Sequence, residues 1–294
     1  MNMMKTNPLV NSKKMLELAK VYKFAIPHIN VNNMEWIQSA LDAAQIARSP
    51  VILGVSMGAA KYMGGYKIVT DMVIDTINNS HISVPVCLHL DHGNYDASIE
   101  ALESGFSSIM FDGSSLPFEE NYEKSKYLVE LCKKYDASIE VEVGTIGGYE
   151  DGSLTNGETA DINECKKMDE LGIDFLAAGI GNIHGLYPKD WKGLNFELLK
   201  EISDSVKAGL VLHGGSGIPD EQINKAIFLG IRKINVNTEC QVAFSNALQD
   251  YFKKNQDLTI DHNYDPRKYL KLGKQAIIKT CLAKMFLFQS SGKF

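Results

Sequence analysis

The sequence predicts an α/β chain folded as a (β/α)8 TIM barrel, with extra helices at its N- and C-terminal ends. Three observations carry that prediction. Eight short apolar or β-rich runs recur along the chain, and helical patterns lie between them. Polar residues fall repeatedly at the C-terminal ends of the runs, the rim where this architecture gathers its chemistry.

The elements follow in order. "SKKMLELAKVY" (12–22) reads as a helix plugging the barrel base. "FAIPHIN" (24–30) is the first strand. "NNMEWIQSALDAAQIAR" then places Met34, Ile37, Leu41 and Ala44 on one helical face, with Asn32 or Asn33 as N-cap. "VILGVS" (51–56) and "VPVCLHL" (84–90) are the second and third strands. "NYDASIEALESG" is a helix stopped by Gly105, and "FSSIMFD" (106–112) the fourth strand. "PFEENYEKSKYLVELCKKYD" starts with proline and acids and ends in lysines, as a helix dipole favours. "ASIEVEV" (137–143), "IDFLAAG" (173–179), "AGLVLHG" (208–214) and "IRKINVN" (231–237) complete the strands. "INECKKMDELG", "NFELLKEISDSV" and "PDEQINKAIFLG" are the helices among them, and "YLKLGKQAIIKTCLAKMFLFQ" continues helical beyond the last strand. Near-continuous apolarity suits parallel strands buried on both faces. The alternative, an open doubly wound sheet, lacks its dinucleotide fingerprint, and no Walker A pattern occurs.

The 294 residues, 45% hydrophobic and 22% charged, are expected to form a single domain spanning 1–294. A net charge of -6 with scattered Lys and Arg argues against nucleic acid as a partner. No apolar stretch approaches the roughly 20 residues that span a bilayer, and the first residues lack a signal-peptide core. Five cysteines, an odd number without a CxxC spacing, predict reduced thiols and a cytoplasmic location.

On a barrel, the strand-end residues converge on one pocket. Ser56 ends the second strand, Asp91 and His92 follow the third, Asp112 ends the fourth and Glu142 the fifth. His184 lies beyond the sixth strand, His213 ends the seventh, and Asn235 and Asn237 end the eighth. Three imidazoles from three strands, with a coordination position left open, describe a catalytic zinc-type site. His89, one position off, is expected to support that site from behind. His28 lies within reach of the pocket from the first strand but is read as an ordinary core residue, and His81 and His262 as loop surface. Gly185, Gly214, Ser216, Asn237 and Thr238 are candidates to hold a phosphate. The long segment 141–162 is expected to act as a lid that swings Glu150 into the pocket.

Together "HLDHG", "VEVGTIGGYEDG", "GNIHGLY", "VLHGGSGIP", "KINVNTE" and "YDPRKYL" resemble the class II, metal-dependent fructose-1,6-bisphosphate aldolases, and the shorter class IIB branch among them. The motifs keep the family's order and run from "PHINVNN" to "DPRKYL". The resemblance implies that His92, His184 and His213 hold the catalytic zinc, with Glu142 and Asp112 at an alternate or adjacent metal position. Asp91 is then the acid/base at the aldehyde oxygen, and Glu150 moves the proton at the dihydroxyacetone-phosphate carbon. Ser56 and Asn235 would contact the keto and enediolate part. Gly185, Gly214, Ser216, Asn237 and Thr238 would cradle one phosphate, with sodium or potassium nearby. Arg267 would grip the far phosphate across the interface of a homodimer or homotetramer. The implied reaction is reversible cleavage of fructose 1,6-bisphosphate to dihydroxyacetone phosphate and glyceraldehyde 3-phosphate, in glycolysis and gluconeogenesis.

Departures from the commonest pattern are His28, Asn94, Tyr95, Tyr149 and Asn182; none removes an implied ligand or acid. The nearest rival activity is a tagatose-1,6-bisphosphate aldolase. More distant are a metal-dependent hydrolase on the same barrel and a purely structural or adhesive role.

Overall fold

The computed structural model describes residues 8–150 and 153–294. Eight strands close into a parallel barrel in the order in which they occur along the chain. They are β1 (Ile26–Asn30), β2 (Val51–Ser56), β3 (Val86–Gly93), β4 (Ser108–Phe111), β5 (Ser138–Val143), β6 (Phe175–Ala178), β7 (Gly209–Leu212) and β8 (Ile231–Val236). Each expected strand is present. β3 runs three residues past the apolar run that predicted it, through Asp91 and His92.

Successive strand residues point to opposite faces, and here they divide between two apolar clusters. Ile26, Ile52, Cys87, Met110, Phe175 and Val211 pack together inside the barrel. Their neighbours Leu53, Leu88, Ile109, Leu176 and Leu212 belong to the larger cluster between sheet and helices. Helix α1 (Lys13–Tyr22) closes the base as expected, with Met15, Leu16 and Ala19 buried in the interior cluster.

Helices α2 (Met34–Ala47), α5 (Tyr95–Glu103), α6 (Phe118–Lys134), α7 (Ile162–Glu170), α8 (Phe196–Ser205) and α9 (Asp220–Leu229) follow the predicted segments. Asn33 caps α2, accepting from the Trp36 N–H at 3.2 Å. Between β2 and β3 the sequence analysis named no helix, yet α3 (Met57–Met63) and α4 (Tyr66–Asn79) occur there. Gly64 and Gly65 break the periodicity between them, while α4 buries Tyr66, Val69, Val73 and Ile77 at helical spacing. After β8, α10 (Thr238–Lys254) buries only Cys240 and Tyr251, too faint a stripe to read from sequence. It packs with α11 (Pro266–Leu287), which also lies against α2.

The segment after β5 is more ordered than a lid without structure of its own. Strands Gly147–Glu150 and Ser153–Thr155 form an antiparallel pair, and the first also pairs in parallel with Ile183–His184. All five cysteines are buried and free. Among the described residues, no helix is long and apolar enough to cross a membrane.

Candidate active site

The interior rows of the barrel change character from base to mouth. Ile26 gives way to His28 and Asn30, Cys87 to His89 and Asp91, Val211 to His213. Polar side chains therefore occupy the middle and upper layers, and most are buried.

Alternation alone cannot bring Asp91 and His92 to the same pocket, because neighbours on a strand face opposite ways. The pairing of β3 with β4 resolves this. Leu90 faces Ile109 and Gly93 faces Phe111, so three steps on β3 match two on β4. His92 adopts φ +48°, a left-handed conformation uncommon for a non-glycine residue. The bulge turns its imidazole inward beside Asp91.

His92 Nε2 lies 3.2 Å from His184 Nε2 and 3.0 Å from His213 Nδ1. Tetrahedral zinc with bonds of roughly 2.0–2.1 Å holds two ligand nitrogens about 3.3 Å apart. The three imidazoles thus fit one ion with only a slight opening. Carboxylates hold two of the outer nitrogens. Asp112 Oδ2 is 2.8 Å from His92 Nδ1, and Glu140 Oε1 is 2.8 Å from His213 Nε2. Those contacts leave Nε2 of His92 and Nδ1 of His213 free to ligate.

Glu140 had not been singled out from the sequence. Its second oxygen pairs with Lys233 Nζ at 2.8 Å, both side chains being fully buried. Lys233 also donates to Asn235 Oδ1 at 2.9 Å. Two charged residues in apolar strand runs were the available signal, since such groups are buried only when paired. Asn182 is a further addition: its Nδ2 donates to the His213 carbonyl at 3.1 Å.

Asp91 is gripped by two amides. Asn30 Nδ2 donates to Oδ2 at 2.8 Å and Asn235 Nδ2 to Oδ1 at 3.2 Å. Burial pushes this carboxyl up, but its electrostatic interactions with the surrounding imidazoles of His28, His92 and His213 and with Lys233 outweigh that and hold the group well below the usual range. Burial likewise disfavours charge on His92. Its hydrogen bond to Asp112 and the nearby Asp91 and Glu142 prevail and raise it to about 10. Burial and the His92 charge push His184 and His213 well down.

The other side of His92 faces a second donor set. His92, Asp112 and Glu142 lie close enough to hold an ion. Glu142 Oε2 is 3.9 Å from His92 Nδ1, and burial together with the Asp112 charge pushes its carboxyl up to about 8. Glu142 and Asp112 thus form a second donor set with His92, reached through the opposite nitrogen of the same imidazole. His89 binds Ser108 Oγ at 2.8 Å and sits 3.8 Å from Glu140, the partner of His213. His81 lies exposed in a turn, and His262 lies exposed at the end of a short 3-10 helix.

The expected phosphate residues Gly185, Gly214, Ser216, Asn237 and Thr238 line one pocket together with Asp91, His184 and Asn235. Asn30, not selected from sequence, joins them. Ser216 Oγ accepts from the Glu239 N–H, and Glu239 accepts from the Gly217 N–H and pairs with Lys284. The loop after β7 is thereby tied to the start of α10 and to α11. Ser56 stands opposite Asp91 in the sheet, and its hydroxyl caps α3. Arg267 is not brought to the pocket: its side chain is 89% exposed and paired with Asp265. Glu150 ends the strand Gly147–Glu150, and its side chain lies outside the described residues. Two residues before it, Gly148 pairs with His184, so this strand is stitched to the histidine cluster. At φ +99°, a Cβ on Gly148 would lie 2.2 Å from the His184 carbonyl oxygen, and only glycine fits.

Comparison with known proteins points one way. Residues 10–293 match the family described as fructose-bisphosphate aldolase class-II. The chain is 57% identical to the fructose-bisphosphate aldolase of Mycoplasma genitalium over 286 residues, covering 97% of this chain and 99% of that one. It is 47% identical to that of Streptococcus pneumoniae over 290 residues, with the same coverages. Among solved structures, the YdjI aldolase from Escherichia coli K12 matches with a TM-score of 0.81 at 33% identity, covering 97% of this chain and 99% of that one. A putative fructose-1,6-bisphosphate aldolase from Coccidioides immitis matches with a TM-score of 0.84 at 29% identity, covering 99% of each.

Proposed function

Because the chain belongs to the class II fructose-bisphosphate aldolase family, we propose that His92, His184 and His213 hold a zinc ion and that Asp91 and Glu150 move the two protons of the reaction. The protein is a metal-dependent lyase that cleaves fructose 1,6-bisphosphate reversibly to dihydroxyacetone phosphate and glyceraldehyde 3-phosphate. The observation that carries the residue roles is the convergence of three imidazole nitrogens, 3.0 and 3.2 Å apart, beside a carboxylate held by two amides.

Bound zinc would supply Lewis-acid polarisation of the ketose carbonyl. The chain's own residues do the rest. Asp91 takes the proton from the C4 hydroxyl, the C3–C4 bond breaks, and its electron pair moves toward the C2 carbonyl. Asn30 and Asn235 keep the Asp91 carboxylate aimed during that transfer. Glu150, carried by the hairpin, returns a proton to C3 of the three-carbon fragment. Lys233, the lysine inside the barrel, is engaged by Glu140 and Asn235, which fits a mechanism without an imine.

Ser56 and Asn235 flank the keto end. Gly185, Gly214, Ser216, Asn237 and Thr238 take one phosphate at the start of α10, with a sodium or potassium ion beside it. Glu142 and Asp112 form the alternate metal position. Arg267, exposed in one chain, reaches the far phosphate of a neighbouring subunit in a homodimer or homotetramer. Five buried thiols suit a reducing cytoplasm.

Two variants test the assignment. His213→Ala is expected to lose both zinc and cleavage. Asp91→Ala is expected to keep zinc while turnover collapses. Metal analysis and triose-phosphate release on fructose and tagatose bisphosphates read both; loss of zinc from Asp91→Ala would show that ligand and base had been exchanged.

A further inference from the structure

The middle layer of the barrel holds His28, His89, Glu140 and Lys233, all buried. Glu140 and Lys233 bind each other, and His89 binds Ser108. His28 is different. It is fully buried, yet among the described residues neither Nδ1 nor Nε2 meets a hydrogen-bonding partner. An unpaired polar group in such a place is costly, and native interiors pair nearly all of them.

The ring is aimed at Asp91. Nε2 lies 3.8 Å from Asp91 Oδ2, the oxygen that also accepts from Asn30. That span is about 1 Å too long for a direct hydrogen bond, a gap that closes as site hydrogen bonds tighten around substrate. Space for the ring tip comes from β2. A Cβ on Gly54 would stand 1.7 Å from His28 Nε2, so the imidazole occupies room that any other residue at position 54 would fill. His89 walls the opposite side, edge-on at 5.4 Å between ring centroids. Burial keeps the imidazole neutral, which leaves one nitrogen to donate and the other to accept.

We propose that His28 is a positioning residue for Asp91, donating to Oδ2 once the site tightens around substrate and, with Asn30, fixing the carboxylate toward the C4 hydroxyl. The proposal rests on the reading of Asp91 as the proton acceptor. His28 acts through Asp91 and does not touch substrate.

The test uses the zinc-loaded enzyme and fructose 1,6-bisphosphate. His28→Phe retains a ring without nitrogens; His28→Asn stays polar but falls short of the carboxylate; His28→Gln restores a donor at similar reach. A lost hydrogen bond to a charged group predicts that kcat falls roughly 10- to 100-fold in His28→Phe and His28→Asn, with KM moving less than about threefold. His28→Gln is expected to recover most of that loss, and each variant to keep one zinc per chain. In an Asp91→Ala background, His28→Phe is expected to add no further loss, because the effect passes through the missing carboxylate.

Full turnover in both truncations would overturn the proposal. So would an equal loss with and without Asp91, the mark of a merely structural residue. A second tightly bound metal per chain that the His28 variants lose would also overturn it, making His28, His89 and Asp91 a cation site instead. Full turnover in Asp91→Ala alone would remove the acid–base reading on which the proposal stands.

Discussion

Glu140 joins two buried systems, and Glu140→Gln separates them. One carboxylate oxygen accepts from His213 and the other pairs with Lys233, each at 2.8 Å and each fully enclosed. Glutamine keeps an acceptor for His213 but removes the charge. Breaking one side of a buried ion pair costs about 3–5 kcal/mol, because the remaining charge is left uncompensated. That loss should appear in urea unfolding of the metal-free protein. A double variant, Glu140→Gln with Lys233→Met, removes both charges and is expected to regain most of the stability. Metal affinity should behave differently. Losing the partner of a ligating histidine weakens binding by 10- to 100-fold, and a neutral acceptor retains roughly half of a charge-assisted bond, so about tenfold is expected. The weakening should persist in the double variant, since Lys233 does not touch His213's ring. Competition with a calibrated zinc chelator measures it. Wild-type zinc affinity in Glu140→Gln would refute the orienting role and leave Glu140 only as the counter-ion of Lys233.

Three further outcomes follow from the same geometry. With His92 raised to about 10 and His184 and His213 pushed well down, one imidazole of the metal-free site is protonated at pH 7. Zinc uptake should release about one proton, and affinity should rise about tenfold per pH unit up to that value, measurable by titration calorimetry in buffers of different ionisation enthalpy. Arg267→Ala should raise KM for the bisphosphate while leaving zinc content unchanged; an unchanged KM would remove Arg267 from the substrate site. Asn33→Ala removes the cap of α2 and should cost about 1 kcal/mol of unfolding free energy.

How much of this was legible beforehand depended on which period each residue obeyed. The strands announced themselves because they are apolar on both faces, and the rim residues because each ended such a run. Asp91, His92, His184 and His213 were found in that way. Glu140, Lys233 and His28 were harder, because each lies inside a run whose overall hydrophobicity conceals a polar residue in the interior row. Spacing shows them in retrospect: Glu140 stands two before Glu142, Lys233 two before Asn235, and His28 two before Asn30. Asn30 was passed over because an asparagine ending a strand also reads as a turn residue. Helices α3 and α4 were hidden by the glycine pair between them, and α10 by its small buried stripe. The antiparallel pair of Gly147–Glu150 and Ser153–Thr155 was obscured by glycines that read as loop, whereas Gly148 is there so that a strand can lie against the His184 backbone.

The motif His-Leu-Asp-His shows most plainly why strand periodicity gives only part of the site. His89 and Asp91 share the interior row, so alternation delivers them for nothing more than β-structure. His92 is the next residue and should point at the helices with Leu90. Two side chains on adjacent positions can share one pocket only if the strand departs from its period, and the slip against β4 with His92 at φ +48° is that departure. Such backbone costs on the order of 1–3 kcal/mol and persists only where its surroundings over-determine it. Here they do so from two sides: Asp112 holds Nδ1, and the other two imidazoles converge on Nε2. The strain sits at the residue whose placement no regular strand could supply.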